Sequence, residues 1–192
     1  MSYLIGSDVG TQGTKTILVD AEGRILASSY REYGVLTPRP GWAEQWPDIW
    51  FNAVCSTIKE TVSRAGVSPE DVAGICISGL YGGAGVLMDR EGRVLRPVII
   101  WADRRATDET RWIKENVGVD AVFKVSGNIV DPYYGYVKLL WVKRNEPKVW
   151  ERVSLMLTPN GYCEYRLTGE VAIDHSSAGN FGGVYDIRRR EW

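Results

Sequence analysis

Apolar positions at the start of the chain fall in short runs rich in β-formers. The first is Tyr3–Val9, which ends at Gly10. Residues 14–20 hold a second, in which Thr16-Ile17-Leu18-Val19 is bounded by turn residues. Ala21-Glu22-Gly23 leads into a third over residues 24–33. Three strands joined by tight turns predict a meander. The period then changes. Within Pro47–Ala65, Trp50, Val54, Ile58 and Val62 recur at helical spacing, with Phe51 and Cys55 beside them. Pro47 suits a first helical position and Gly66 suits the end. Ser68-Pro69-Glu70-Asp71 adds an N-cap, a proline and two acids, the start of another helical turn.

Residues 72–78 are apolar on both faces, which predicts a covered parallel strand. A glycine-rich segment over 79–85 follows. Val86-Leu87-Met88 is expected to pair across Asp89-Arg90-Glu91-Gly92 with the segment that begins at Arg93. Residues 98–101 predict another buried strand, and 155–157 and 184–187 predict shorter β segments. Helices are expected over 105–116, 137–145 and 159–167. No internal repeat and no low-complexity linker interrupts the pattern. Tyr185, Ile187 and Trp192 are residues that pack, so the chain is expected to stop inside a folded unit.

Composition narrows the classes. The chain has 192 residues, 44% hydrophobic and 24% charged, as in a soluble globular domain with a sizeable core. A formal net charge of −1 argues against a nucleic-acid partner, and Arg188-Arg189-Arg190 reads as a solvated turn. The first residues lack the basic stretch of a signal peptide, Asp8 interrupts the apolar run, and no segment is long enough to span a membrane. Cys55, Cys76 and Cys163 lack the paired spacing of a disulfide framework or zinc site, which fits a reducing cytoplasm. The single histidine, His175, follows Asp174 in a polar stretch and is expected in an exposed loop. Eight tryptophans and ten tyrosines stand against three phenylalanines. Such rings offer apolar faces with polar edges, which suit sugars, although core packing accounts for most of them.

One segment carries chemistry on its own. Asp8-Val9-Gly10-Thr11-Gln12-Gly13-Thr14-Lys15 lies between two predicted strands. Glycines in a tight turn let backbone N–H groups approach an anion. The Thr11 and Thr14 hydroxyls and the Lys15 charge can add to such a site, and Asp8 can hold Mg²⁺ through water. The segment lacks the Gly-Lys-Ser/Thr ending of a P-loop, and no helix follows its glycines as in a dinucleotide fingerprint.

Asp-x-Gly-Thr in a strand–turn–strand resembles the phosphate-binding hairpin of the actin, hexokinase and heat-shock ATPase superfamily. Later segments narrow the resemblance to the FGGY carbohydrate kinases, with xylulokinases nearest and glycerol kinases more distant. They are Pro40-Gly41-Trp42-Ala43-Glu44-Gln45, Ile77-Ser78-Gly79, Trp101-Ala102-Asp103-Arg104-Arg105-Ala106, and Lys138-Leu139-Leu140-Trp141 with Asn145-Glu146-Pro147. Leu167-Thr168-Gly169-Glu170 and Tyr185-Asp186-Ile187 with Glu191-Trp192 complete the set. They occur in the family's order and span nearly the whole chain.

The resemblance implies an α/β fold, an actin-like ATPase (ribonuclease H-like) domain whose mixed sheet carries flanking helices. It implies transfer of the γ-phosphoryl group of ATP to a sugar or polyol hydroxyl, with Mg²⁺ as the metal. By the same resemblance Asp8 handles the metal, and Gly10, Thr11, Gln12, Gly13, Thr14 and Lys15 face the phosphates. Trp101, Asp103 and Tyr133 are expected to meet the sugar, with Tyr81 and Gly82 beside them; the alternatives are core packing for Trp101, a salt bridge to Arg104, Arg105 or Arg111 for Asp103, and a turn for Tyr133. Residues 1–192 correspond to most of the N-terminal lobe. No catalytic base is assigned within them, because the family's base aspartate and its second domain are expected beyond Trp192. The chain alone is therefore expected to be inactive, and its bare docking face to favour self-association.

The resemblance is incomplete at one place. Xylulokinases carry Gln-Met-His-Gly where this chain has Leu80-Tyr81-Gly82-Gly83, so Gly82 replaces the sugar-facing histidine. The Arg-Glu pair of glycerol kinases is absent too. A pentulose is the expected acceptor. Two other classes stand beside the kinase: a non-catalytic nucleotide- or sugar-binding module on the same fold, and an actin-like or chaperone-like ATPase. The 101–106 and 167–170 segments argue against the last, which shares only the first hairpin.

Overall fold

A computed structural model describes residues 2–81, 83 and 85–192. The three predicted strands form: β1 (Tyr3–Val9), β2 (Gly13–Val19) and β3 (Ile25–Glu32), antiparallel in sequence. A two-residue strand, β4 (Glu44–Gln45), precedes helix α1 (Pro47–Ala65), whose bounds are those predicted and which Gly66 closes. A 3₁₀ turn at Pro69–Asp71 then leads to β5 (Val72–Gly79). The sheet runs β3-β2-β1-β5, with β5 parallel to β1. A mixed sheet with helices is thus the core of the architecture.

Helix α1 packs across β1, β2 and β3 on a face that includes Trp50 and Val54 of the predicted stripe, both fully buried. Its buried line is Trp50, Ala53, Val54, Thr57 and Thr61. The sheet presents Ser7, Thr16 and Ser29 there, so hydroxyl meets hydroxyl. Thr16 Oγ1 lies 2.7 Å from both Ser7 Oγ and Thr57 Oγ1, and Ser29 Oγ lies 2.5 Å from Thr61 Oγ1. Buried hydroxyls must be paired, and these pair with one another. Further along the predicted stripe Ile58 is only partly buried against the core, and with Val62 it borders a groove shared with Cys55, Ile75 and Leu167.

Strand β5 is parallel as predicted but is not covered on both faces. It is an edge of the sheet, and Ile75 is 48% exposed. An apolar run reports β-propensity, not the presence of a cover.

The second half builds a smaller layer. Strand β6 (Val86–Met88) continues into the predicted hairpin, with Asp89 N–H donating to Arg93 O (3.0 Å) and Leu95 N–H to Leu87 O (2.9 Å). Strand β7 (Val98–Ile99) pairs with β4. Helices α2 (Thr107–Asn116), α3 (Val119–Ser126), α4 (Gly135–Asn145) and α5 (Pro147–Trp150) follow. Strand β8 (Leu155–Leu157) pairs with β6, and helices α6 (Pro159–Thr168) and α7 (His175–Phe181) complete the chain. One core cluster joins Val9, Trp50, Val54, Val86, Ile100 and Leu157, and a second joins Ile113, Val122, Val130, Val137 and Phe181. Among the described residues no helix is long and apolar enough to cross a membrane.

Three further expectations are corrected. The strand over 98–101 ends at Ile99, because Ile100 and Trp101 turn out of it. Residues 184–187 form no strand: Asp186 makes an isolated bridge to Glu191, and its carboxylate accepts the amides of Arg188 and Arg189 in a tight turn. His175 is not in a loop. Asp174 caps α7 by accepting the Ser177 amide (2.8 Å), and His175 Nδ1 meets the Tyr185 hydroxyl at 2.5 Å.

Candidate active site

The Asp8–Lys15 segment is a hairpin tip at the carboxyl ends of β1 and β5, the end of an open α/β sheet where ligands bind. Gly10 N–H donates to Gly13 O (2.9 Å), and a Cβ on Gly10 would stand 3.0 Å from that oxygen. Among the described residues the amides of Thr11 and Gln12 have no protein acceptor. They form the tip that an anion can meet.

The tip is clamped from behind. Gln45 Nε2 donates to Thr11 O (2.8 Å) and Gly34 O (3.0 Å), while its Oε1 accepts from Trp50 Nε1 (3.1 Å). The Tyr33 hydroxyl donates to Gly10 O (2.8 Å), so the Thr14 hydroxyl, 3.0 Å away, donates to the Tyr33 oxygen. Burial pushes that phenol up to about 12, which keeps it a donor. Gln12 O accepts Tyr30 OH (3.2 Å) and Tyr33 N–H (3.1 Å).

This clamp corrects the expectation for Thr14. Its side chain is fully buried on the α1 side of the sheet, and its hydroxyl is engaged. It braces the hairpin and does not face the open side. Asp8 and Lys15 do. They pair across β1 and β2, and Asp8 pairs with Ser78 across β1 and β5. Successive side chains alternate faces, so all three stand on the uncovered face. With Cys76 and Ile17 they line a cleft of about 410 Å³. No group of three or more metal-ligating side chains occurs among the described residues. A single carboxylate is still a fitting donor for Mg²⁺, which keeps several waters and is completed by substrate phosphates. Gln12 and Gly13 complete the turn, with Gly13 under the Tyr30 ring.

Trp101, 41% exposed, reaches the same tip: its Nε1–H donates to Thr11 Oγ1 at 2.8 Å. Tyr133 stands beside it, ring centroids 6.2 Å apart and planes tilted by 56°. Hairpin, Trp101 and Tyr133 therefore form one continuous wall. Gly83 lies behind it. A Cβ on Gly83 would lie 3.0 Å from Ile99 O, and one on Gly135 would lie 2.4 Å from Gly83 O. Only glycines allow that approach between the strand leading to Trp101 and the start of α4. Tyr81 is 41% exposed and borders a small hollow with Thr158, Pro159 and Ser177, apart from Trp101. Gly82 lies outside the described residues.

Asp103 is the second correction. It is 0% exposed, and both carboxylate oxygens are engaged. Oδ2 accepts from Ala43 N–H (2.6 Å) and Arg105 Nη2 (2.7 Å), and Oδ1 from Arg105 N–H (2.9 Å) and Nε (3.0 Å). No lone pair is left for a sugar hydroxyl. Arg105 also reaches Glu44 Oε1 (2.8 Å), which in turn accepts from Arg96 Nη2 (2.6 Å). Arg96 pairs further with Glu146 (3.3 Å). The Arg105 guanidinium sits 3.5 Å from the Trp42 ring centroid and 4.9 Å from that of Trp141.

This network gives the quoted segments roles that residue types alone did not. Trp42 and Trp141 enclose Arg105, Ala43 and Glu44 fix Asp103 and Arg105, and Gln45 grips the hairpin. Gln45, Glu44, Arg105 and Lys138 stand in the quoted segments and Tyr33 in the third predicted strand; the Asp103–Arg105 pair was among the sequence alternatives, whereas Gln45 to Thr11 and Tyr33 to Gly10 join residues far apart in the chain.

Comparison with known proteins bears on the fold and the family. Residues 3–192 match the model of the N-terminal domain of the FGGY family of carbohydrate kinases. A xylulose kinase from Bacillus subtilis is 34% identical over 192 residues, covering 100% of this chain and 38% of its own length. One from Escherichia coli is 36% identical over 188 residues, covering 98% and 38%. The crystal structure of a xyloylose kinase from Brucella ovis superposes with a TM-score of 0.90 at 34% identity, over 99% of this chain and 39% of that one. The chain thus spans about 38% of the length of the curated relatives it matches.

Proposed function

The chain belongs to the FGGY family of carbohydrate kinases, and from that premise we propose that it is the phosphate- and acceptor-facing part of an ATP-dependent kinase for a pentulose such as xylulose. In this reading residues 1–192 are one actin-like unit, and the further length of the relatives adds a second. The observation that carries the reading is the Trp101 Nε1–Thr11 Oγ1 bond of 2.8 Å, which ties an aromatic wall to the phosphate hairpin. Donor and acceptor can then meet at one place, which is what phosphoryl transfer requires.

In the reaction the acceptor hydroxyl oxygen attacks the γ-phosphorus, the bond to the β–γ bridging oxygen breaks, and ADP leaves. The hydroxyl proton passes to a base. Asp8 is committed to the phosphate side and Asp103 to Arg105, so the reading places that base in the further length of the relatives. The Thr11 and Gln12 amides and Lys15 face the phosphate oxygens. Mg²⁺ held at Asp8 would neutralise charge there. The Trp101 and Tyr133 rings receive the carbon skeleton of the acceptor.

The test is coupled ADP release by a kinase in which this segment is continued to the length of its relatives. Pentuloses, hexuloses, pentitols and glycerol are compared by kcat/KM. A pentulose is expected to lead, and a preference for glycerol would overturn the choice of acceptor.

A further inference from the structure

Behind the aromatic wall the fold encloses a lysine. Lys138, in the first turns of α4, is 0% exposed. Its ammonium donates to Tyr133 O (2.7 Å) and, at shorter range, to Pro132 O. The other side of the same turn is held by Asp131. Its Oδ1 accepts the Tyr133 amide (2.8 Å), and its two oxygens take Arg104 Nη1 (2.8 Å) and Nη2 (3.3 Å). Both peptide groups of Tyr133 are therefore fixed, its N–H by a carboxylate and its C=O by an ammonium. Enclosing a lysine is costly unless its protons are satisfied. Here the acceptors that satisfy it are the two carbonyls of the turn that carries Tyr133.

We propose that Lys138 is a positioning residue: by holding the Pro132 and Tyr133 carbonyls it sets where the Tyr133 ring stands against Trp101. Its effect on catalysis rests on the reading that Trp101 and Tyr133 receive the acceptor. Its effect on the wall does not.

The surroundings make this hold sensitive to pH. Burial pushes the Lys138 ammonium down to about 7. Asp103 and Asp131 oppose that shift, while Arg104 and Arg105 add to it. Below that pH the charged donor grips the turn. Above it the neutral amine keeps two N–H groups but loses the charge assistance that roughly doubles such bonds. The folded state releases this proton before the unfolded chain does, so its contribution to stability rises with pH from about 7 towards the ordinary lysine range, even as the turn loosens.

The test uses the 192-residue chain labelled with ¹⁵N, following the Trp101 indole N–H, assigned with Trp101→Phe, and the Tyr134 amide. Both resonances are expected to shift with a midpoint near pH 7, and the midpoint is expected to disappear in Lys138→Met. His175→Gln, which removes the only imidazole, must leave it in place. If Lys138→Met fails to fold, the wild-type and His175→Gln titrations still decide. Resonances that do not move between about pH 6 and 8.5, around the lysine's lowered value, overturn the proposal, and so does a midpoint that survives in folded Lys138→Met or vanishes in His175→Gln. In the kinase, Lys138→Met is expected to raise the acceptor KM about tenfold, the scale of one hydrogen-bonded contact, with the ATP KM little changed. A resonance that titrates as stated in a protein that phosphorylates no sugar would leave the positioning role standing and sink the kinase reading alone.

Discussion

Asp8→Ala is expected to lower kinase turnover by about a thousandfold or more while the protein stays folded. The carboxylate lies on the uncovered face of the sheet, across from Lys15 and Ser78, and is exposed. Removing it opens no cavity and orphans no buried donor, so the stability change should stay within about 0.5 kcal/mol. The catalytic loss has a different source. Charge moves onto the β–γ bridging oxygen as the transferring group departs, and a metal held by a carboxylate stabilises that change more than the ground state. Losing one fixed electrostatic contact of this kind costs on the order of 10²–10³ in kcat, and a displaced metal costs more. Asp8→Asn is expected to fall nearly as far, since a neutral amide holds Mg²⁺ poorly. The measurement is kcat at saturating acceptor and Mg²⁺-ATP, beside a thermal melt. Undiminished turnover would remove the hairpin from the phosphate site. A fall in turnover matched by a fall in melting temperature would make Asp8 a structural residue.

Much of this site was legible in the sequence because its elements are local. A run of β-formers, a glycine turn and another run determine a hairpin and give the first three strands, while Pro47, the helical spacing and Gly66 give the bounds of α1. What was not legible depends on residues far apart in the chain. Thr57 and Thr61 are polar, yet they face the sheet because Ser7, Thr16 and Ser29 wait there. Thr14 looks like a phosphate contact until Tyr33 is seen to take its hydroxyl. Helices α3 and α7 are short, and their ends are marked by Gly118, Gly127 and Asp174, not by a long apolar period. Residue type gives a group's chemistry, and only the fold gives its partner.

The same distinction governs Asp103, whose substitution is expected to damage the fold before it touches the sugar. Asp103→Ala should destabilise the protein by about 3–5 kcal/mol, the usual result of removing one member of a buried ion pair. Arg105 would remain between Trp42 and Trp141 with Glu44 as its remaining carboxylate, and the Ala43 amide would lose its acceptor. For a domain of this size the melting temperature should drop on the order of 10 °C. Asp103→Asn should fall between, because an amide oxygen can still accept from Ala43 while its NH₂ faces the arginine. The partner supplies the discriminating control. Replacing both residues, Asp103→Ala with Arg105→Met, removes the uncompensated charge and should recover part of the loss, so the double-mutant cycle should show coupling of about 1–3 kcal/mol. A direct contact with the acceptor predicts the opposite pattern: an unchanged melt, a raised acceptor KM and no coupling to Arg105. Thermal melts of the four proteins separate the two. An Asp103→Ala protein that melts with the wild type would return this carboxylate to the acceptor site.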